Sequence, residues 1–389
     1  MKHAFLIIAH NNWSQLKEVM RAYDSKICDF YIHINSMVDV EDSELKQIQT
    51  VTKYSKVYFV QRIPIVWGEV GILEASLILL RDAFENQYDY YHLVTGSDLP
   101  LVNLNKFDSF FLNNQYKNKS NGKYKTNYVS ITVPTKKIAS RVEQYNFFVK
   151  HWRNPNKYLR KIATSSSTLM CILQRCIRIN RIKQTGWKLY TGSSWWSISH
   201  EFAESYLKNS DVIYKQYHYM TFAADEFAIQ TLIMNSDFRK SLYEPENNLS
   251  ANLRLLDFSR GNGYGSPHVY TIDDLPEIQD TRNLIGRKFD ENYDGKIVKH
   301  ILKSLNVITA PSKAKLGISY SVWDGEELLE ASIKSVRENA DYINVVWQRK
   351  SWHGADCNDD LENLLFNLKA DGKKYQIDMT EMSMGRVKK

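Results

Sequence analysis

Short apolar runs alternate with stretches of helical spacing through the first hundred residues. Residues 4–9 are an unbroken apolar run that predicts a strand, closed by His10, Asn11 and Asn12. Leu16, Val19 and Met20 give residues 13–23 the spacing of a helix. Residues 29–34 and 57–59 predict two more strands. Residues 70–84 predict a helix with Leu73, Leu77, Leu79 and Leu80 on its apolar side. A strand over 90–94 then runs directly into Thr95-Gly96-Ser97-Asp98. Strands separated by helical segments predict βαβ units and a mainly parallel sheet. Ligands of such open sheets bind beyond the carboxyl ends of the strands. Asn11, Asn35, Ser97 and Asp98 all follow predicted strand ends.

The second half carries four dense stretches. Residues 191–199 read as a turn entering a strand, and 224–232 as the start of a helix with Asp225 and Glu226 at its positive end. Residues 253–261 lead into a Gly-rich segment, and Arg287-Lys288-Phe289-Asp290 closes the region. Near Pro311 the pattern restarts as strand 316–322, helix 326–337 and strand 342–347. The expected organisation is a domain over 1–308 followed by a small β-α-β appendage over 309–389.

Composition is that of a globular protein: 389 residues, 43% hydrophobic and 24% charged, a length that fits about two domains. No apolar stretch is long enough for a secretion signal or a membrane span, so a cytoplasmic protein is expected. Cys28, Cys171, Cys176 and Cys357 are scattered, which predicts neither a zinc site nor a disulfide framework. The formal charge of +7 is local. Between Glu143 and Glu201 the chain has ten Lys and Arg and no acidic residue, leaving −3 for the remainder. This basic insertion, about 144–188 within a basic window of 144–200, is either a solvated face or a surface for an anionic partner. Its interleaved apolar residues suit peripheral contact with an anionic membrane surface. No nucleic-acid motif accompanies it, so no nucleic-acid partner is expected.

Several residues could carry chemistry. Glu226 reads either as a general base or as a helix-end charge. A metal-holding Asp-x-Asp is absent from the sequence. Arg287 and Lys288 could neutralise an anionic leaving group, or form a surface basic pair. Of Trp195 and Trp196, at most one is expected to wall a pocket. His10, His33 and His92 are expected to be structural.

Taken in order, these blocks resemble the core-2/I-branching N-acetylglucosaminyltransferase and peptide-O-xylosyltransferase family. The resemblance rests on AFLIIAH, FYIHIN, VWGEVGILEASLILLRDA, YHLVTGSDLPL, GSSWWSIS, ADEFAIQTLIMNS, LRLLDFSRG and GRKFD, spread over about residues 3–295. It implies a GT-A-like α/β fold and an inverting, metal-independent transfer, most simply of N-acetylglucosamine, from a UDP-sugar to a glycan hydroxyl. Transfer of xylose or another sugar, or a non-catalytic glycan- or nucleotide-binding role, are the alternatives. The resemblance makes Glu226 the base and Lys288 the residue that meets the diphosphate. Arg287 joins Lys288 in the donor site, and a further basic residue is expected at Arg282 or His268. Ile7 and His10 would lie beside the nucleoside, as would Asn35, where the family usually has Asp. Trp67, Glu69, Ser97, Asp98, Trp195 and Asp225 would face sugar and acceptor. No metal and no cofactor are implied; the UDP-sugar is a substrate.

The animal relatives have a membrane anchor and disulfides, and neither is expected from this sequence. A bacterial enzyme of surface-polysaccharide synthesis, acting on a glycan acceptor that is lipid-linked at the inner face of the membrane, is therefore expected. Residues 313–350 resemble the opening of another glycosyltransferase-like domain, without a complete site.

Overall fold

A computed structural model describes residues 1–116, 124–244, 250–261 and 265–306, and beyond these 317–322, 326–337, 342–347, 356, 360–361, 363–365 and 377–381. The chain divides into two compact units, Met1–Val307 and Ile308–Lys389.

The first unit is built on a five-stranded sheet. Its strands are β1 (His3–Ala9), β2 (Cys28–Ile34), β3 (Val57–Phe59), β4 (Tyr90–Thr95) and β6 (Ser197–Ser199), in the order β3-β2-β1-β4-β6. The first four are parallel, and β6 closes the edge antiparallel to β4. The continuous apolar run of β1 reflects its central place. Leu6 and Ile8 pack with helix Gly71–Phe84 on one face, while Phe5, Ile7 and Ala9 pack with helix Trp13–Ala22 on the other. Side chains alternate along a strand, so one strand feeds two cores. Each buried aliphatic side chain contributes about 1.5–3 kcal/mol.

Three short strands form a second sheet beyond the end of β4. They are β5 (Asp98–Pro100), β7 (Arg254–Leu256) and β8 (Ile285–Arg287), in the order β5-β8-β7. Gln15, fully buried on the first helix, ties the two sheets. Its amide donates to the carbonyls of Gly96 and Phe289 and accepts from the amide of Glu291. The result is a GT-A-like α/β arrangement with a mainly parallel central sheet.

The second unit holds β9 (Gly317–Val322), helix Glu326–Val336, β10 (Tyr342–Trp347) and β11 (Ile377–Glu381). Its three strands are parallel in the order β11-β10-β9. The strand at 377–381 is one more than the sequence pattern predicts.

Cys28 and Cys171 are buried free thiols and Cys176 is an exposed one, while Cys357 lies outside the described residues. Among the described residues no helix is long and apolar enough to cross a membrane.

Candidate active site

Glu226 closes a 3-10 turn, Ala224–Glu226, and does not lie inside a helix as the sequence pattern predicts. Phe227, at φ −126°, breaks the chain before helix Ala228–Met234 begins. The break releases Glu226 from helical geometry, and two other segments hold it. Its own carbonyl accepts from the amide of Gly192 at 2.9 Å and from the hydroxyl of Thr191 at 3.0 Å. The preceding Ala223, in the left-handed region at φ 54°, donates its amide to the carbonyl of Gly68 at 2.8 Å. Gly68 is itself at φ +80°, and a Cβ there would lie 2.6 Å from the ring of Phe222. Thus the Trp-Gly segment, the 191–196 segment and the turn are stitched together backbone to backbone.

The Glu226 carboxyl accepts a hydrogen bond on Oε2 from Nη1 of Arg141 at 2.7 Å. Among the described residues its Oε1 takes no protein partner. The side chain keeps 37% of its surface accessible, so it is reachable. The protein packed around it nevertheless desolvates the carboxyl. That burial, with the neighbouring Asp225 charge, raises its pKa to about 7 against the opposing pull of Arg141. Asp225 accepts from the hydroxyl of Ser194 at 2.5 Å. Its pKa is raised by burial, an effect that the bond from Ser194 offsets in part.

A line of contacts runs to either side of this pair. On one side, Arg141 lies over the ring of Phe222 at 5.0 Å, and Phe222 meets Trp67 edge-on at 5.3 Å. The Arg153 guanidinium lies over the Trp67 ring at 3.5 Å. Glu69 lies just past Gly68, half-buried, its carboxylate without a partner among the described residues. On the other side, Ser194 is followed by Trp195, over which the Arg287 guanidinium sits at 4.5 Å.

Arg287 is fixed by strand register. Asp98 of β5 and Arg287 of β8 are cross-strand partners, and Nη1 of Arg287 donates to Oδ1 of Asp98 at 2.8 Å. Thr95 donates to the same carboxylate from its amide and from its hydroxyl, both at 2.8 Å. Asp98, only 5% exposed, therefore accepts from three donors, two on Oδ1 and one on Oδ2. Ser97 is buried, and its carbonyl accepts from the amide of Phe289 at 2.9 Å. The pKa of His10 is lowered, first by desolvation and then by the charges of Lys288 and Arg287. Lys288 lends its carbonyl to Tyr270 and its amide to the carbonyl of His268.

Other candidates occupy different ground. Ile7 is 2% exposed inside the core and presents no side-chain surface to a ligand. Asn35 uses its Oδ1 to accept from the amides of Met37 and Ile65, and its Nδ2 to donate to the carbonyl of Ile65. One amide hydrogen is left for anything else. Arg282 is exposed and forms a two-point ion pair with Glu244, plus a bond to Ser250. His268 pairs with Asp274 at 3.0 Å. Both tryptophans are buried, Trp195 at 9% and Trp196 at 2%, just ahead of β6. His33 accepts from the amide of Ile63, and His92 is bonded to His3 and Ser197, so both are structural. A cavity of about 440 Å³ lies apart, lined by Tyr145, Arg181, Gln216 and Tyr219 among others and by none of the candidate residues.

Arg141 and Gln15 are the residues that sequence reasoning missed. Neither stands in a motif block, and only their long-range partners reveal them.

The family model of core-2/I-branching enzymes matches residues 3–279. This chain belongs to the core-2/I-branching enzyme family. It is accordingly a glycosyltransferase, with a sugar donor and a glycan acceptor as its substrates. The matched span contains Glu226, Asp225, Trp195, Asp98 and Trp67 and ends before Arg282, Arg287 and Lys288. Comparison with curated proteins finds no match.

Proposed function

We propose that this glycosyltransferase moves a sugar, most simply N-acetylglucosamine, from a UDP-sugar to a glycan hydroxyl by inverting single displacement, with Glu226 as the base. The observation that carries this reading is the Glu226 carboxyl: reachable, open at Oε1, and poised at a pKa of about 7. A base titrating near the working pH combines an ionised population with useful basicity. In the step, the acceptor oxygen bonds the anomeric carbon as its proton passes to Glu226. The bond from that carbon to the diphosphate breaks, and UDP leaves with the electron pair. Lys288 and the free edge of the Arg287 guanidinium meet the charge that develops on the diphosphate. The Trp195 ring backs the Arg287 guanidinium at 4.5 Å.

We further propose that the step needs no metal. The carboxylate just past β4, where a metal ligand could stand, is that of Asp98, and its oxygens already bond Thr95 and Arg287. Incubation with UDP-N-acetylglucosamine, UDP-xylose, UDP-galactose and UDP-glucose in EDTA tests both points. Donor hydrolysis or transfer with one sugar is expected, and strict dependence on added Mn²⁺ contradicts the metal-free step. The acceptor is proposed to be a bacterial surface glycan on a lipid carrier, met at the cytoplasmic face of the membrane.

A second reading is a non-catalytic relative that binds nucleotide or glycan. Asn35 favours it, since its amide is largely committed to backbone where the family usually carries a carboxylate. UDP binding without turnover across the donor panel is its signature.

A further inference from the structure

Helix Lys157–Cys176 is built inside out. Its buried positions are Ala163, Ser167, Cys171 and Gln174, which are small or polar. They recur at spacings of four, four and three, one stripe of an α-helix. Ser167 and Gln174 hydrogen-bond the backbone of Phe147 and Tyr145, so this stripe is the face fixed to the protein. The large apolar side chains point away. Tyr158, Ile162, Leu169, Leu173 and, just past the helix end, Ile177 are between 50% and 71% exposed. Leu159, Met170 and Ile172 widen the same exposed stripe. A helix that packs only on its own protein puts its aliphatic residues inward and its polar ones outward. This one does the reverse over five turns, and contiguous exposed apolar surface of that size marks a contact surface.

Charge says what the partner is. Lys157, Lys161 and Arg175 are exposed along the border of the apolar stripe, and Arg178 is exposed just past the helix end. No acidic residue occurs anywhere between Glu143 and Glu201. A second copy of this chain would bring two such basic borders together, at a cost in repulsion. An anionic surface with an apolar interior satisfies both features at once. We propose that helix Lys157–Cys176 lies in the headgroup region of an anionic lipid bilayer, its exposed stripe inserted and its basic border on lipid phosphates. The helix rests on the membrane and does not cross it.

The proposal stands apart from the transfer chemistry, because vesicle binding requires no sugar donor. The full chain is sedimented with vesicles of phosphatidylcholine alone and of phosphatidylcholine mixed with phosphatidylglycerol, over a salt series. Binding is expected only with the anionic vesicles and is expected to weaken as salt rises. Leu169→Ser with Leu173→Ser should weaken binding by about tenfold or more. Lys161→Gln and Arg175→Gln should each weaken it roughly fivefold. All four positions are exposed, so the melting temperature and UDP binding should stay at wild-type values, and these separate lost docking from lost folding. No binding to anionic vesicles at low salt overturns the proposal. So does a Leu169→Ser, Leu173→Ser double variant that binds like wild type. So does a dimer by light scattering that the double variant converts to monomer, which assigns the stripe to a second copy.

Discussion

Arg141 donates from Nη1 to Oε2 of Glu226 at 2.7 Å, joining residues 85 positions apart in the chain. The pair sets two opposed forces on one carboxyl. Burial and the Asp225 charge hold the proton on, while the guanidinium pulls it off. The balance near neutrality is what suits Glu226 to accept a proton from a sugar hydroxyl.

Removing the guanidinium should move that balance in a known direction. In Arg141→Met the force that lowers the Glu226 pKa is gone. The acid limb of kcat/KM against pH, expected near 7 in the wild type, should move to higher pH in the variant. An unmoved limb would show that another group titrates.

Stability should carry the same signature with the opposite benefit. The Glu226 pKa rises from an ordinary 4.5 to about 7 on folding. Below 4.5 the carboxyl is neutral in both states, and its contribution is fully present. As pH climbs from 4.5 through 7, the unfolded chain sheds the proton more readily, and wild-type stability falls. Glu226→Gln has no proton to shed. Its melting temperature relative to wild type should rise across that window and level off above it. A difference that is flat with pH would contradict the raised pKa.

Gly68 tests how the turn is held. Gly68→Ala places a Cβ against Phe222 and forces a left-handed conformation on alanine. A cost of about 1–3 kcal/mol is expected for strain of this kind. Because Gly68 also accepts from Ala223, kcat should drop more than donor binding does. Unfolding by denaturant and kinetics on the same variant would show whether both change.

The Asp98–Arg287 pair should link fold and donor affinity. Asp98→Asn leaves a largely buried guanidinium without its countercharge. A loss of about 1–3 kcal/mol is expected for such a group, with weaker UDP binding by calorimetry. Wild-type stability together with wild-type affinity would remove the pair from the donor site.

The sequence makes local features plain and leaves long-range ones hidden. The strands at 3–9, 28–34 and 90–95 are legible because each is an apolar run buried on both faces. The candidate base is legible through the order of the motif blocks. The 3-10 turn ahead of the helix is not, since a break at Phe227 leaves no mark on an apolar pattern. Nor is the Asp98–Arg287 pair, which depends on the register of two three-residue strands. Trp195 and Trp196 are both buried just ahead of β6, and only the Arg287 guanidinium over Trp195 tells the two apart. In the basic window the charge is visible, but the outward face of its aliphatic residues needs the packed helix.

The central claim rests on Glu226 as the base, and turnover of Glu226→Gln with saturating donor and acceptor tests it most directly. The account predicts a loss of about 10² or more in kcat with UDP affinity retained. Turnover at the wild-type rate would contradict it.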